Sequence, residues 1–362
     1  MPLACKPDFE RAKAMWEHYW NGEVMKRPLV LVECRKSNAP PPRGPANPQI
    51  GRYWRHCHGR MDEELEIIDR RLEQIEYLGE AMPAFGPDLG PDQFAAFLGC
   101  DLHFSPDSRE TNWVEPIVDD WDAFGPIRFD PNNAYWQRLL DNTRRLARHG
   151  EGRYLARHID KHSHADALSA MRGPQRFCMD FIERPEAVER AMAEARAFYA
   201  PLYDAVFEAG NMGGANGSTQ IVWSPGKAAI LQCDMQIMLG PEHFRRFILP
   251  AIEEEAAFVD HSIFHLDGVG AFRFLDDLLA IRDLDMIQLT PGAGEAPNHT
   301  FVELFKKILA AGKGIQVSGA GLTPDRVKQL HRELGPKGPM YMPQCRTREE
   351  AEELLEWLER NT

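Results

Sequence analysis

The stretch from residue 262 to residue 360 decides the fold, because four short apolar runs in it alternate with four amphipathic segments. The runs are SIFHLD at 262–267, DMIQLT at 285–290, GIQVS at 314–318 and PMYMPQC at 339–345. Apolar residues at helical spacing follow each run, at 271–282, 300–311, 323–334 and 347–360. This alternation is typical of βαβ units and predicts a parallel sheet.

The same alternation extends towards the N-terminus and predicts a closed barrel. Helical segments at 135–149, 185–209 and 241–259 are interspersed with apolar runs at 153–160 and 228–231. No Gly-x-Gly-x-x-Gly follows an early strand, so the pattern does not support a dinucleotide-binding open sheet. We therefore predict an α/β protein built on a (β/α)8 TIM-type barrel.

The N-terminal part of the chain is less regular. Helical segments at 8–22 and 61–78 flank an apolar strand at 29–34, and residues 83–130 are rich in Pro, Gly, Asp and Trp and look irregular. A length of 362 residues fits two domains of roughly 150 residues, and equally one barrel of roughly 250 residues with insertions. We predict a single barrel domain over 1–362, in which 1–150 supplies an N-terminal extension and loops that cover the mouth.

Composition and charge narrow the classes of partner. Lys and Arg number 42 against 55 for Asp and Glu, which gives a formal net charge of −13. Nucleic acids and anionic membranes both favour a basic surface, so we expect neither as a partner. The N-terminus shows no signal peptide, no run reaches the roughly 18 apolar residues of a spanning helix, and the seven scattered cysteines form no Cys-x-x-Cys pair. We expect a cytoplasmic enzyme that acts on a small molecule.

Polar residues that directly follow the predicted strands are the first candidates for a site, because barrel chemistry lies where strands end. These strand-end candidates are Asp160, Cys233, Asp234, His265, Asp267, Thr290, Ser318, Gln344 and Cys345. Asp160 and Asp234 are predicted to act as catalytic or orienting carboxylates.

His265, Asp267 and Cys345 form the predicted metal site. Alternate residues of an extended strand face the same side, so His265 and Asp267 point together into the mouth. We expect the strand before Cys345 to neighbour theirs around the barrel. An imidazole, a carboxylate and a thiolate would leave the fourth position of a tetrahedral Zn²⁺ open for substrate. The alternative is a core histidine bonded to Asp267, with Cys345 as a small apolar residue.

A second cluster lies between residues 157 and 166, where three histidines and two aspartates fall close together. His158 is predicted to bind substrate and Asp160 to take part in catalysis. If the strand ends near Asp160, the following residues form a loop instead, and Asp166 caps a helix that begins at Ala167.

Two N-terminal segments supply further candidates. Asp88 lies in the turn-rich GPDLGPD at 86–92 and is a candidate acid, although aspartates beside Gly and Pro are commonly turn formers. The basic, aromatic segment at 51–60 supplies Arg52, Trp54 and Arg55 as candidates for binding an anionic substrate. The alternative for this segment is a solvated loop with Trp54 held against the core.

Several stretches resemble the uroporphyrinogen decarboxylase superfamily, and in particular its cobalamin-dependent methyltransferases of the methylcobalamin:coenzyme M type. The matching stretches are the 86–99 loop, MRGP at 171–174, LGPEHFRRFILP at 239–250, FHLDG at 264–268 and MPQC at 342–345. The resemblance covers most of the chain from about residue 80.

The resemblance implies a zinc site, a cobalamin-bearing partner protein and a possible homodimer. Methyltransferase members bind zinc through a His-x-Cys pair and a distant Cys. His265 and Cys345 match this pattern, whereas Asp267 stands where the first cysteine is expected. A carboxylate ligand makes the metal harder, so the nucleophile or the metal can differ from those of the thiol methyltransferases.

Our leading hypothesis is a corrinoid-linked, metal-dependent methyltransferase or demethylase that acts on a small molecule. The decarboxylase members carry an Arg-Gln-x-Gly-Arg motif near the N-terminus, but here the first strand continues as ECRKS at 33–37. A metal-independent decarboxylase or lyase that uses Asp88, Arg52 and histidines of the 158–164 cluster is the second hypothesis. A non-catalytic ligand-binding barrel is the third.

Overall fold

The computed structural model describes residues 3–40, 50–105, 108–216 and 222–362. The strands in these ranges are β1 (Leu29–Arg35), β2 (Ile75–Gly79), β3 (Ala84–Phe85), β4 (Leu102–Ser105), β5 (Ser108–Val114), β6 (Leu155–Ala156), β7 (Ala228–Gln232), β8 (His261–Asp267), β9 (Met286–Thr290), β10 (Gly314–Val317) and β11 (Pro339–Tyr341).

The α-helices in the same ranges include many short ones. They are α1 (Phe9–Trp20), α2 (Arg52–Cys57), α3 (Met61–Gln74), α4 (Gln93–Phe97), α5 (Trp121–Phe124), α6 (Ala134–Gly150), α7 (His164–Arg172), α8 (Pro174–Glu183), α9 (Pro185–Arg196), α10 (Tyr199–Ala209), α11 (Pro241–His243), α12 (Leu249–Phe258), α13 (Leu275–Leu279), α14 (Val302–Ala310), α15 (Pro324–Leu334) and α16 (Arg348–Asn361). A π-helical turn at Phe244–Ile248 joins α11 to α12, and 3-10 turns occupy Asp234–Met238, Val269–Phe274 and Asn298–Thr300.

The central sheet has seven strands in the order β2-β1-β11-β10-β9-β8-β7. Every neighbouring pair in it is parallel except β1 and β2, which are antiparallel. Strands β3 and β6 form a separate parallel pair, and β4 and β5 form an antiparallel hairpin. The predicted α/β class with a parallel sheet is confirmed.

The strands of the parallel sheet are buried on both faces. All five residues of β7 are buried, and so are the first four residues of β9. Continuous apolar strands of this kind occur where helices cover a parallel sheet. Phe264, Ile287 and Val317 belong to the same large core as Phe305 of α14 and Leu354 of α16, so the sheet and its crossover helices share one apolar interior.

The predicted helix over 61–78 is wrong in its last turn, because α3 ends at Gln74 and Ile75–Gly79 forms β2. Ile75 continues the helical spacing of Leu72, which explains the error. Pairing with β1 and the bonds from the buried Lys6 ammonium to the carbonyl oxygens of Tyr77 (3.1 Å) and Gly79 (2.7 Å) favour the extended chain instead.

Two other expectations also need correction. The segment 83–130, predicted to be irregular, contains β3, α4, the β4–β5 hairpin and α5 in its described part. The helix predicted over 185–209 is two helices, α9 and α10, separated at Ala197–Phe198. Among the described residues, no helix combines the length and the apolarity that crossing a bilayer requires.

Candidate metal centre

Strands β7, β8 and β9 are neighbours, and their carboxyl ends place polar side chains side by side. In the register of the sheet, Gln232 of β7 lies opposite His265 of β8, and His265 lies opposite Gln288 of β9. Within β8, Phe264 and Leu266 are buried, while His265 and Asp267 are only half-buried. The alternation of the strand therefore turns His265 and Asp267 to one common face, as their spacing predicts.

Asp234 joins these two residues from the turn after β7. One donor atom from each of Asp234, His265 and Asp267 lies within 4.8 Å of the other two. Two carboxylates and one imidazole are nitrogen and oxygen donors that suit Zn²⁺ and harder divalent cations. The donor set of these described residues therefore fits a metal ion with part of its coordination left to solvent or substrate.

Gln288 and Thr290 orient the His265 ring. The Nδ1 atom of His265 lies 2.8 Å from Oε1 of Gln288 and 3.4 Å from Oγ1 of Thr290. An amide oxygen can only accept, so Nδ1 carries the proton and donates to Gln288. The lone pair then lies on Nε2, and outer partners of this kind fix the tautomer of metal-binding histidines.

Asp166 fastens the turn that carries Asp234. Its two carboxylate oxygens accept the main-chain amides of Asp234 (3.0 Å) and Met235 (2.9 Å). The predicted cap at Asp166 is therefore wrong, because α7 begins earlier, at His164, and the carboxylate binds a distant segment instead. Pairing with a remote turn gives no local pattern, which is why the sequence did not show it.

His162 lies among three carboxylates. Its Nδ1 is 3.5 Å from Asp166 and 3.7 Å from Asp234, and its Nε2 is 3.9 Å from Asp160. Burial alone would lower the pKa of His162, but contact with Asp166 and the charges of Asp160 and Asp234 raise this pKa to about 10. The ring is therefore an imidazolium at neutral pH.

The carboxylates of this region outnumber its cations. Burial, together with the charge of Asp166, raises the pKa of Asp234 to about 6, although His162 and His265 oppose this shift. Asp267 adds a further negative charge beside Asp234. A divalent cation would relieve this repulsion, so the electrostatics and the donor geometry support the same use of the site.

A large cavity opens beside these residues. Its volume is about 860 Å³, and the polar residues of its wall are Asp92, His162, Asp166, Ser169, Gln175 and Asp234. The remaining wall is mostly apolar and includes Pro91, Trp113, Val114, Pro116, Met179, Met235 and Met238. A cavity of this size and lining suits a small molecule with an apolar body and a polar reacting end.

Cys345 does not join the other two residues of the predicted metal site. It lines a separate cavity with Leu31 and Glu33, and its thiol is close to Cys34 and Glu350. The expectation that its strand neighbours β8 is wrong, since β11 lies between β10 and β1. β11 is therefore three strand spacings of about 4.8 Å each from β8. Burial and Glu350 raise the pKa of the thiol to about 12.

Asp160 lies at the edge of the candidate metal centre. Its Oδ1 accepts a bond from Nε2 of Gln232 at 3.0 Å, and its main-chain oxygen accepts one from Gln93 at 2.7 Å. Since Gln232 is the register partner of His265, the structure brings Asp160 and Asp234 to neighbouring parts of one mouth.

His158 points elsewhere. It is buried, its ring stacks on Tyr203 of α10 at 4.1 Å, and its Nε2 lies 3.1 Å from the main-chain oxygen of Tyr203. β6 ends at Ala156, so the residues from His158 to Ser163 lie outside a strand, in agreement with the loop expected after it.

The residues predicted to bind an anion separate into two groups. Arg52 forms an ion pair of 2.7 Å with Asp88, whose Oδ1 also accepts the amide of Gly90 at 3.0 Å. Asp88 therefore makes the turn bond of the alternative interpretation, and its other oxygen pairs with Arg52.

The other two residues of the basic segment have structural contacts. Arg55 donates from Nε to the buried Glu64 at 2.8 Å and thereby connects α2 to α3. Trp54 stacks on His58 with ring centroids 4.1 Å apart. Glu64 pairs with the Arg55 guanidinium, and substrate binding by Arg55 stays a prediction.

Comparisons with known proteins agree with the fold. No family model and no curated protein matches the sequence. Among solved structures, the chain is similar to a methyltransferase from Methanosarcina mazei, with a TM-score of 0.57 and 13% identity, over 97% of this chain and 98% of that chain. At this identity the similarity shows a shared fold over nearly the whole length of both chains.

Proposed function

We propose that this protein is a metal-dependent methyltransferase or demethylase that acts on a small molecule, with a corrinoid protein as the methyl carrier. The observation that carries the proposal is the convergence of Asp234, His265 and Asp267 within 4.8 Å at the carboxyl ends of neighbouring strands. The fold shared with a methyltransferase supports methyl transfer as the class of reaction.

Asp234, His265 and Asp267 would hold the metal, with Zn²⁺ as our first candidate. When bound, zinc supplies a Lewis acid that lowers the pKa of a coordinated heteroatom and makes it a nucleophile at neutral pH. Two carboxylates make a harder site than two thiolates, so an oxygen nucleophile suits it as well as a thiol does.

The side chains around the metal ligands have separable tasks. Oε1 of Gln288 accepts a hydrogen bond of 2.8 Å from Nδ1 of His265 and so keeps this nitrogen protonated. The His162 imidazolium carries a proton at the cavity wall and can donate it to a leaving heteroatom. The apolar wall around Trp113 and Met179 binds the body of the substrate and excludes water from the reacting end.

We also propose that the parallel sheet closes into an eight-stranded barrel in a single domain. The strands β1, β3, β6, β7, β8, β9, β10 and β11 supply the required number. The edges of the seven-stranded sheet are β2 and β7, and the β3–β6 pair is the further parallel pair that would link them. A crystal structure in which β3 and β6 do not lie between these two edges would contradict this arrangement.

A second candidate function is a metal-independent decarboxylase or lyase. It is favoured by the ion pair between Arg52 and Asp88, which places a carboxylate beside a guanidinium at 2.7 Å. This function predicts turnover of a carboxylated substrate in the presence of a strong chelator, and it predicts no effect of His265→Ala.

The test of the methyltransferase is a metal and methyl-transfer assay on the purified chain. We expect about one equivalent of metal per chain and, with methylcobalamin as donor, metal-dependent loss of its cobalt–carbon absorbance when thiol or alcohol acceptors are present. His265→Ala should abolish both the metal and the transfer, and Arg245→Gln on the outer surface should change neither. A wild-type protein that is loaded with metal but transfers no methyl group to any acceptor would overturn the proposal.

A further inference from the structure

Arg157 lies directly after β6, and the charges of Arg52, Asp88 and Asp160 act on its guanidinium. Its amide donates to Phe85 of β3 at 2.8 Å, so the main chain continues the β3–β6 pairing at this residue. The next residue, His158, stacks on Tyr203 of α10. Since all three charges act on the Arg157 guanidinium, this side chain lies near Asp160 at the edge of the candidate metal centre.

The guanidinium of Arg157 has no hydrogen bond and no ion pair to any residue in the described part of the chain, and its Nε is shielded from solvent. Arg157 is half-buried, whereas the buried arginines of that part are paired: Arg27 with Glu80 (2.7 Å), Arg55 with Glu64 (2.7 Å) and Arg172 with Asp180 (2.7 Å). A shielded charged donor without an acceptor costs free energy, and a ligand that supplies the acceptor recovers it.

The acidic groups around Arg157 are occupied by other partners. Asp88 binds Arg52 and the amide of Gly90. Asp160 accepts a bond from Gln232. Both carboxylates are near enough to stabilise the positive charge of Arg157 electrostatically, and neither hydrogen-bonds to it. Burial and the charge of Arg52 lower the pKa of Arg157 to about 10, which leaves it charged at neutral pH.

We propose that Arg157, with Arg52 beside it, binds a carboxylate group of the substrate. A guanidinium with all its N–H groups free matches the two oxygens of a carboxylate in a bidentate pair. Asp88 and Asp160 limit the positive charge at this place, so it suits a singly charged anion better than a phosphate dianion.

The end of the substrate that exchanges the methyl group would lie at Asp234, His265 and Asp267, and for this end the inference rests on the proposed function. The charge of Asp160 acts on Arg157, and the same carboxylate accepts a bond from Gln232, the register partner of His265. A molecule whose carboxylate binds Arg157 therefore extends towards Asp234, His265 and Asp267. The structure thus points to a small carboxylic acid with a methylated or methyl-accepting heteroatom.

The test is calorimetric titration of the purified, full-length chain with benzoate, methanesulfonate and inorganic phosphate. We expect saturable binding of benzoate that weakens about tenfold or more in Arg157→Gln. Arg157→Lys keeps the positive charge but loses the planar guanidinium that can bind both carboxylate oxygens. Its benzoate affinity should therefore lie between those of the wild type and Arg157→Gln. Arg245→Gln is the matched control, because Arg245 is exposed and pairs with Asp277, and it should bind benzoate like the wild type.

Thermal unfolding distinguishes a ligand-binding arginine from a structural one. Arg157→Met should leave Tm unchanged or raise it, because the variant removes an unpaired charge. A Tm lowered by several degrees, equal benzoate affinity in Arg157→Gln, tighter binding of phosphate or methanesulfonate, or no binding at all would each overturn the inference. Measuring the metal content of the same samples distinguishes failure of the metal site from failure of the carboxylate site. Arg157→Gln should retain the metal, and His265→Ala should retain benzoate binding.

Discussion

The ends of β8 and β11 both carry side chains that bind metals in other proteins, but their surroundings differ. Around His265 and Asp267, the neighbouring strands β7 and β9 contribute Gln232 and Gln288, and the turn after β7 adds Asp234. Around Cys345, the lining consists of Leu31, Glu33, Ala81, Met82, Met342, Pro343 and Gln344. The strands beside a candidate ligand, more than its residue type, decide whether it becomes part of a site.

The largest expected difference between the ends of β8 and β11 is the effect of a substitution on metal affinity. His265→Ala removes a ligand and should weaken binding by more than the roughly 10–100-fold typical of outer partners. Cys345→Ala should leave affinity within about twofold of the wild type, because its thiol lies outside the cluster. Competition with a fluorescent zinc chelator measures both. Loss of the metal in Cys345→Ala would break the comparison.

The next effect is expected at Asp166, which contacts no metal and holds the turn of Asp234. Asp166→Asn keeps the size of the side chain but removes the negative charge that pairs with His162. It also replaces one of the two oxygens that accept the main-chain amides of Asp234 and Met235. We expect metal affinity to fall about 10- to 100-fold. Asp122→Asn, an exposed carboxylate paired with Arg184, serves as the control. Unchanged affinity in Asp166→Asn would show that the turn keeps its place without this carboxylate.

A smaller effect is expected at Gln288. Gln288→Leu preserves most of the side-chain volume and removes the acceptor at 2.8 Å from His265 Nδ1. Metal affinity should fall about tenfold, at the low end for an outer partner. The exposed Gln329→Leu on α15 should have no effect. If Gln288→Leu bound metal like the wild type, Thr290 at 3.4 Å would suffice to orient the ring.

The smallest effect should be on the stability of the β11 end. Cys345 is half-buried, so Cys345→Ala should lower the free energy of unfolding by about 1 kcal/mol or less. Leu354→Ala in the buried face of α16 should cost about 2–5 kcal/mol by comparison. Urea denaturation monitored by tryptophan fluorescence measures both variants. A cost at Cys345 as large as that at Leu354 would mean that the thiol has a structural role beyond a small apolar side chain.

The spacing of apolar residues along the chain predicted the strands and helices whose formation depends mainly on nearby residues. The strands that became β7–β11 are short apolar runs flanked by amphipathic helices, and both signals are present in the sequence. Strand β2 was missed because Ile75 continues a helical spacing while its partner, β1, lies about forty residues earlier. The β4–β5 hairpin was missed for a similar reason, since its stability comes from pairing across a turn.

The site divides in the same way. His265 and Asp267 share a face of one strand, so a two-residue spacing was enough to place them together. The positions of Asp166 beside Asp234 and of Gln288 beside His265 depend on strand order and register, which no local spacing contains. The same limit led to the wrong position for Cys345, whose strand was expected next to β8.

The bonds from Asp166 to the turn after β7 also connect chemistry to folding. Asp234 reaches His265 only when α7, β7 and β8 are packed together, so the unfolded chain offers no such site. An ion bound only by the folded chain adds about 2.7 kcal/mol to the free energy of unfolding at a hundredfold excess over Kd. The concentration of the ion would therefore affect the fraction of the protein that is folded as well as the rate of the proposed reaction.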